Sequence, residues 1–211
     1  MRRKIFFIGV LALAVIVGCD MKRTMEIRTM LSYMEKKYGE EFQYIEAYGG
    51  QLGKNYIAIL VKGKRYPEEE ILVRKRTWQK QVHYEDNYVA YLLREELEAE
   101  MGDVAKRTLG ACRVRYKIPQ FVLTDEFTPE MTAKEFLCNL HAKTQFYLYP
   151  QATDTSCKEW EEKTEAFLKE CGRKGYRIRG ALVLNKEDKK RNLIFSMDEE
   201  NQIRYMRWVI N

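Results

Sequence analysis

The chain has 211 residues, of which 45% are apolar and 12% aromatic, and its formal net charge is +6. This composition excludes a disordered chain, because the apolar content is sufficient to build a core. The modest charge gives little support for a nucleic-acid partner, and we expect none.

The N-terminus has the pattern of a bacterial signal peptide. Cations at positions 2–4 precede an apolar run over residues 5–17, which is followed by Gly18 and Cys19. The run would form about 20 Å of helix, which is too short for a bilayer core of roughly 30 Å. A small residue directly before a cysteine is typical of a lipobox, so we predict cleavage between Gly18 and Cys19 and lipidation of Cys19. An ordinary secretory signal and an uncleaved anchor are the alternatives.

Residues 1–18 are therefore predicted to be a lipoprotein signal peptide, and residues 19–23 a lipid anchor with a short tether. Loss of the three cations at positions 2–4 would lower the formal net charge from +6 to +3. The four residues after Cys19 span about 14 Å when extended, so the folded part would lie close to the bilayer. We predict an extracytoplasmic protein at the cell membrane that is attached to membrane lipid through Cys19.

Three cations follow the anchor directly, namely Lys22, Arg23 and Arg28. Basic residues next to a membrane gain about 1 kcal/mol each near anionic lipid, which makes these three candidate lipid contacts. The alternative is that they form the solvated face of the first helix.

The first half of the chain predicts one helix and a β-meander. Apolar residues recur at the spacing of one helical face from Thr24 to Tyr38, and Gly39 is a plausible C-cap. Consecutive strands with short turns favour antiparallel pairing. Three strands are predicted after the helix, Phe42–Tyr48, Tyr56–Lys62 and Ile71–Arg76.

The second half predicts three more helices and five strands. Asp86 or Asn87 can cap a helix over Tyr88–Leu109, and Thr128-Pro129 predicts the start of a short helix to His141. A capping box at Ser156 begins a helix from Cys157 to Gly172. The predicted strands are Cys112–Ile118, Gln145–Tyr149, Tyr176–Leu184, Leu193–Met197 and Ile203–Ile210.

A helix followed by three strands thus occurs twice, over residues 24–76 and 157–210. The repetition is either a degenerate duplication or two instances of a common arrangement. We predict an α+β fold in which antiparallel β-meanders pack against helices, in two helix-plus-three-strand units. The extracytoplasmic domain covers residues 24–211, with possible subdomains 24–120 and 127–211.

Four cysteines remain after Cys19. They permit two disulfides or free core thiols, although one helix would hold Cys157 and Cys171 about 20 Å apart. Cys157 is a candidate reactive thiol because a helix N-terminus favours the thiolate. It also falls on the apolar face of its helix, so a buried, inert thiol is the alternative. The four are Cys112, Cys138, Cys157 and Cys171.

Two other motifs carry no predicted chemistry. Cys138 and His141 have the spacing of half a zinc site, but a closed site needs four ligands and the sequence has no matching second half. The glycine-rich segment at residues 49–55 precedes a strand, whereas a phosphate loop needs a helix N-terminus. We therefore predict no catalytic residue, metal or cofactor.

Two stretches carry a resemblance to known proteins. They are LSYMEKKYGEEF at residues 31–42, and YEDNY at 84–88 continuing into LLREEL at 92–97. Together with the lipobox they resemble a group of small uncharacterised cell-surface lipoproteins of Firmicutes. The resemblance implies a cell-surface location in a one-membrane bacterium and implies no activity.

The functional hypothesis is a membrane-anchored extracytoplasmic lipoprotein that binds or positions an unknown protein or envelope partner without catalysis. The alternative is a hydrolase that acts on the cell envelope, with Cys157 as its thiol.

Overall fold

The computed structural model describes residues 23–49, 55–152, 155–186 and 189–210. Gly18, Cys19 and Lys22, and with them the predicted lipobox, lie outside these residues. Within the described ranges no helix is long and apolar enough to cross a membrane. The chain divides into two compact units, with the boundary between Asp86 and Asn87.

The first unit consists of one helix and a four-stranded antiparallel sheet. Helix α1 covers residues 23–38, as its apolar spacing predicts, and buries Met30 and Met34 completely. Each strand pairs with the next one in sequence, in the order β1-β2-β3-β4. The strands are β1 (Phe42–Gly49), β2 (Tyr56–Gly63), β3 (Ile71–Trp78) and β4 (Gln81–Asp86).

Strand β4 is missing from the sequence prediction, which gave this unit three strands. The reason lies in the turn that joins β3 to β4. Its central residues, Gln79 and Lys80, have positive φ angles of 48° and 65°. Such a turn normally contains glycine, asparagine or aspartate, so this one carries no turn signal.

Helix α1 begins at the end of the sheet where β3 turns into β4. Three contacts join α1 to β3 and β4, and they occur in order from the start of the helix to its end. The pairs in contact are Glu26 with Lys75, Tyr33 with Tyr84, and Lys37 with Asp86.

The second unit contains four α-helices, a short 3-10 helix and a five-stranded sheet with the order β5-β6-β7-β8-β9, within the described residues. In chain order they are α2 (Tyr88–Leu92), α3 (Arg94–Thr108), β5 (Cys112–Lys117), α4 (Ala133–Cys138), the 3-10 helix Leu140–Ala142, β6 (Thr144–Pro150), α5 (Cys157–Arg173), β7 (Ile178–Lys186), β8 (Lys189–Met197) and β9 (Ile203–Ile210).

Two predicted helices differ from the observed ones. The predicted helix over residues 88–109 is divided into α2 and α3 at Leu93. The helix predicted to begin after Thr128 begins instead at Ala133, because Thr132 and Glu135 form a reciprocal capping box. Thr128 accepts a turn hydrogen bond from the backbone N–H of Met131 at 3.2 Å.

The α+β prediction, with antiparallel meanders packed against helices, is confirmed. An additional feature is that β6 and β7 are parallel, with α5 as the crossover between them, while the other strand pairs are antiparallel. The sequence suggested a division between residues 120 and 127. The structure divides into its two compact units after Asp86, and β5 lies in the second unit, where it pairs with β6.

The helices α3, α4 and α5 cover one face of the five-stranded sheet. Alternate strand residues on that face are buried with the helices, and the intervening residues point to the opposite face. The buried cluster includes Leu97, Met101, Phe136, Phe146, Leu148, Trp160, Phe167 and Phe195.

Candidate functional site

The uncovered face of the five-stranded sheet carries a concentration of cations and aromatic rings. Its cations are four arginines and one lysine, and its rings are three tyrosines. We call this surface the cationic sheet face and define it by Arg113, Arg115, Lys117, Arg179, Arg207, Tyr147, Tyr149 and Tyr205.

Strand pairing places the tyrosines next to the arginines. On β5 and β6, Arg113 lies opposite Tyr149 and Arg115 opposite Tyr147. The guanidinium of Arg113 lies 5.3 Å from the ring centroid of Tyr149. A guanidinium within about 6 Å of a ring is attracted to it, so the register itself holds these side chains in position.

The charge of this face is not balanced within the sheet. Among the described outward positions of its five strands there is no aspartate or glutamate. Glu98 reaches the edge from α3 and pairs with Arg115 at 3.1 Å, and the Arg115 side chain remains 53% exposed. Arg113, Lys117, Arg179 and Arg207 are exposed. A surface of one charge sign favours a partner of the opposite sign.

The composition of the face also resembles that of protein interfaces. Tyrosine and arginine are enriched in such interfaces, whereas lysine, aspartate and glutamate are depleted. Sequence reasoning places Arg113, Arg115 and Lys117 on one side of a strand and Tyr147 and Tyr149 on one side of another. It does not reveal that the two strands are neighbours.

A separate cavity of about 390 Å³ lies at the N-terminus of α5. We call it the thiol pocket and define it by Ser156, Cys157, Trp160, Leu184 and Arg191. Ser156 begins the helix because its hydroxyl accepts a hydrogen bond from the backbone N–H of Glu159 at 3.2 Å.

Cys157 lies in this pocket and is partly exposed, although it follows the spacing of the buried face of α5. Arg191 Nη1 donates a hydrogen bond to its Sγ at 3.5 Å. A neighbouring guanidinium is common around reactive cysteines. A thiol hydrolase also needs a base within hydrogen-bond reach, and the described lining residues include no histidine, aspartate or glutamate.

The remaining sequence candidates do not come together. His141 lies in the 3-10 helix and His83 in β4, and no group of three or more metal-ligating side chains exists among the described residues. Arg23 and Arg28 are both exposed on α1.

The four cysteines of the described residues are free thiols with different surroundings. Burial raises the pKa of Cys112 to about 11 and also raises the pKa of Cys138 and Cys171. Cys171 is fully buried. These three thiols are therefore less able to form the reactive thiolate at neutral pH.

We expect Cys157 to react first when the native full chain is alkylated with iodoacetamide at pH 8 and the labelled sites are mapped by mass spectrometry. Arg191→Gln should slow its labelling several-fold, because the cation beside the sulfur is lost. The urea-unfolded chain is the control and should label all four sites at similar rates. Earlier labelling of Cys112 or Cys171 in the native chain would contradict the burial described above.

Comparisons with known proteins give one distant likeness. No family model matches the chain, and no curated protein matches it either. The fold is similar to the crystal structure of a DUF5037 family protein from Ruminococcus gnavus, with a TM-score of 0.41 and 13% sequence identity over 86% of this chain and 88% of that chain. Ruminococcus gnavus is a Firmicute. The lipoprotein part of the sequence resemblance stays a prediction.

Proposed function

We propose that the protein is a membrane-anchored extracytoplasmic lipoprotein that binds an acidic protein partner through the cationic sheet face. The observation that carries the binding part is the set of four arginines, one lysine and three tyrosines on a sheet face whose described outward strand positions include no aspartate or glutamate. The anchoring part is supported by the signal-peptide pattern that ends at Gly18 and Cys19.

The partner is proposed to be a protein because the cations are mostly arginine. Arginine forms planar, bidentate pairs with carboxylates and stacks on rings, and both interactions suit an acidic protein surface. The face is roughly 24 Å wide across its five strands, which suits a single protein segment.

The second candidate, a thiol-dependent envelope hydrolase, is favoured by one observation. This is the contact between Arg191 and the partly exposed sulfur of Cys157. The pocket offers a thiol, a cation and a helix N-terminus, but its described lining lacks a general base. The binding function is therefore the one we propose.

One experiment with two arms tests the proposal in cells. In the first arm, Cys19→Ala is expected to lose fatty-acid label and normal membrane attachment, because the acceptor sulfur is absent. An unchanged label in this variant would refute the anchor.

In the second arm, the native chain is crosslinked in cells and its partners are identified. Arg179→Glu combined with Arg207→Glu should lose the partner, because both side chains are exposed on the cationic sheet face. Lys158→Glu combined with Lys169→Glu is the matched control, since both lysines are also exposed in the second unit but lie on α5. Equal capture by the two variants, or capture of a non-protein polymer alone, would overturn the binding part.

A further inference from the structure

Five exposed apolar side chains collect at one end of the first unit. Seven large apolar side chains are more than a third exposed among the described residues, and these five are among them. We call this region the hairpin end and define it by Met25, Tyr48, Tyr56, Trp78 and Val82.

Strand register shows that these residues share one end. Strand β2 begins at Tyr56, which lies opposite Arg76 near the end of β3. Strand β1 finishes at Gly49, opposite Ala58. Trp78 and Gln81 close the β3–β4 hairpin.

The start of α1 points towards the same end of the unit. About 17 Å of helix separates Glu26 from Lys37, at 1.5 Å per residue. About 17 Å of strand separates Gln81 from Asp86. Lys37 binds Asp86 at 2.8 Å and Glu26 pairs with Lys75, so α1 runs along the sheet with its first residues, including Met25, towards the hairpin turn.

The charges of the hairpin end are mostly positive. Arg23, Arg28 and Lys80 are exposed there, and Glu26 is already paired with Lys75. Tryptophan and tyrosine are the residues that concentrate at membrane–water interfaces, and cations next to them attract anionic headgroups.

The two central positions of the hairpin turn have a backbone conformation that favours glycine, but they carry long side chains. Gln79 and Lys80 both have positive φ angles, which cost L-residues roughly 1–2 kcal/mol each. Trp78 before them is 59% exposed, so its own burial does not offset that cost. The turn therefore presents Trp78 and Lys80 at an exposed tip of the sheet.

We propose that the hairpin end rests in the headgroup region of an anionic bilayer, with Trp78 inserted and Lys80 on the lipid phosphates. The proposal rests on the proposed lipid anchor, because only three residues lie between Cys19 and residue 23 at the start of α1, a span of about 14 Å at most. The anchor would therefore hold the aromatic and cationic side chains of this end within reach of lipid.

Tryptophan fluorescence tests the contact directly. The full chain, purified with its fatty-acid label, is placed in vesicles of phosphatidylcholine and phosphatidylglycerol that carry bromine high on their acyl chains. Bromine should quench the emission of Trp78. Of the other two tryptophans, Trp160 is 1% exposed and the indole N–H of Trp208 donates to Glu161 at 2.6 Å. Trp78→Phe should remove the quenched component, and the fold should tolerate it because the side chain is exposed.

A charge reversal supplies the matched control. Lys80→Glu should weaken the lipid contact roughly tenfold and lower the quenching of Trp78, because a phosphate contact becomes a repulsion. Lys64→Glu makes the same charge change at the opposite end of the unit, between β2 and β3, and should leave quenching unchanged. Vesicles of phosphatidylcholine alone should show weaker quenching for the unmodified chain.

The outcomes separate this proposal from the proposed anchor. A labelled chain without Trp78 quenching would overturn the lipid contact and leave the anchor intact. A native chain that carries no fatty-acid label would refute the anchor, and quenching of Trp78 in that chain would still support the lipid contact. The emission of Trp78 could also stay unchanged with brominated lipid and change only when membrane proteins are added. That result would show that the hairpin end binds a protein, and it would overturn the proposal.

Discussion

Gly180→Ala is expected to lower the free energy of unfolding by about 3 kcal/mol, because the added methyl group has no room. Gly180 lies opposite Phe146 in the parallel pair of β6 and β7. A Cβ atom at this position would clash with the carbonyl oxygen of Phe146 and would lie 3.0 Å from Cζ of Phe195. Both phenylalanines are fully buried, so the two strands would have to separate. Chemical denaturation of the full chain, followed by near-UV circular dichroism, measures the loss.

Gly102→Ala is the matched control for this substitution. Gly102 lies inside α3, and a Cβ atom there would meet nothing within 4 Å. Alanine in an open helix interior stabilises by about 1 kcal/mol relative to glycine, so this variant should be more stable than the parent. A Gly180→Ala variant at least as stable as the parent would contradict the close approach of β6 and β7.

Asp86→Ala is expected to cost about 3–5 kcal/mol, because it leaves a cation without its carboxylate. The Asp86 side chain is fully buried and accepts hydrogen bonds from Lys37 Nζ at 2.8 Å and from the Tyr38 hydroxyl at 2.6 Å. The Lys37 side chain is only 13% exposed, so water cannot replace the lost partner fully. The same denaturation measurement applies, with the transition of the first unit as the readout.

Two further variants test whether pairing is the cause. Replacing both partners, Lys37→Met with Asp86→Leu, should cost less than Asp86→Ala, because no unpaired charge remains. Glu68→Ala removes an exposed carboxylate between β2 and β3 and should change stability by less than about 0.5 kcal/mol. A cost for Asp86→Ala as small as that for Glu68→Ala would show that the buried pair contributes little.

The periodic parts of the fold follow from the sequence, and the parts set by distant contacts do not. The apolar spacing of α1 and the alternation of β5 are properties of neighbouring residues, and both elements form where the sequence predicts them. Strand β4 escapes prediction because the Gln79–Lys80 turn adopts positive φ without a turn residue. The parallel pairing of β6 with β7 depends on how α5 packs, which local patterns do not report.

The same distinction applies to the candidate sites. The sequence identifies Cys157 as a helix N-terminal thiol, but Arg191 reaches it from β8, 34 residues away. It indicates the outward sides of β5 and β6 separately, and only the sheet order brings Arg179 and Arg207 onto the same face. The cationic sheet face exists only because the five strands pair in this order, so a pattern within one strand cannot predict it.

The nearest-neighbour strand order of the first unit has a consequence for how the chain folds. Neighbouring strands are consecutive in sequence in both sheets, but the first unit joins them without a helix between, whereas β6 in the second unit meets β7 only after α5. Contacts between residues close in sequence form faster, and a chain is synthesised from its N-terminus. The unit that ends at Asp86 can therefore assemble while the strands of the other sheet are still being made.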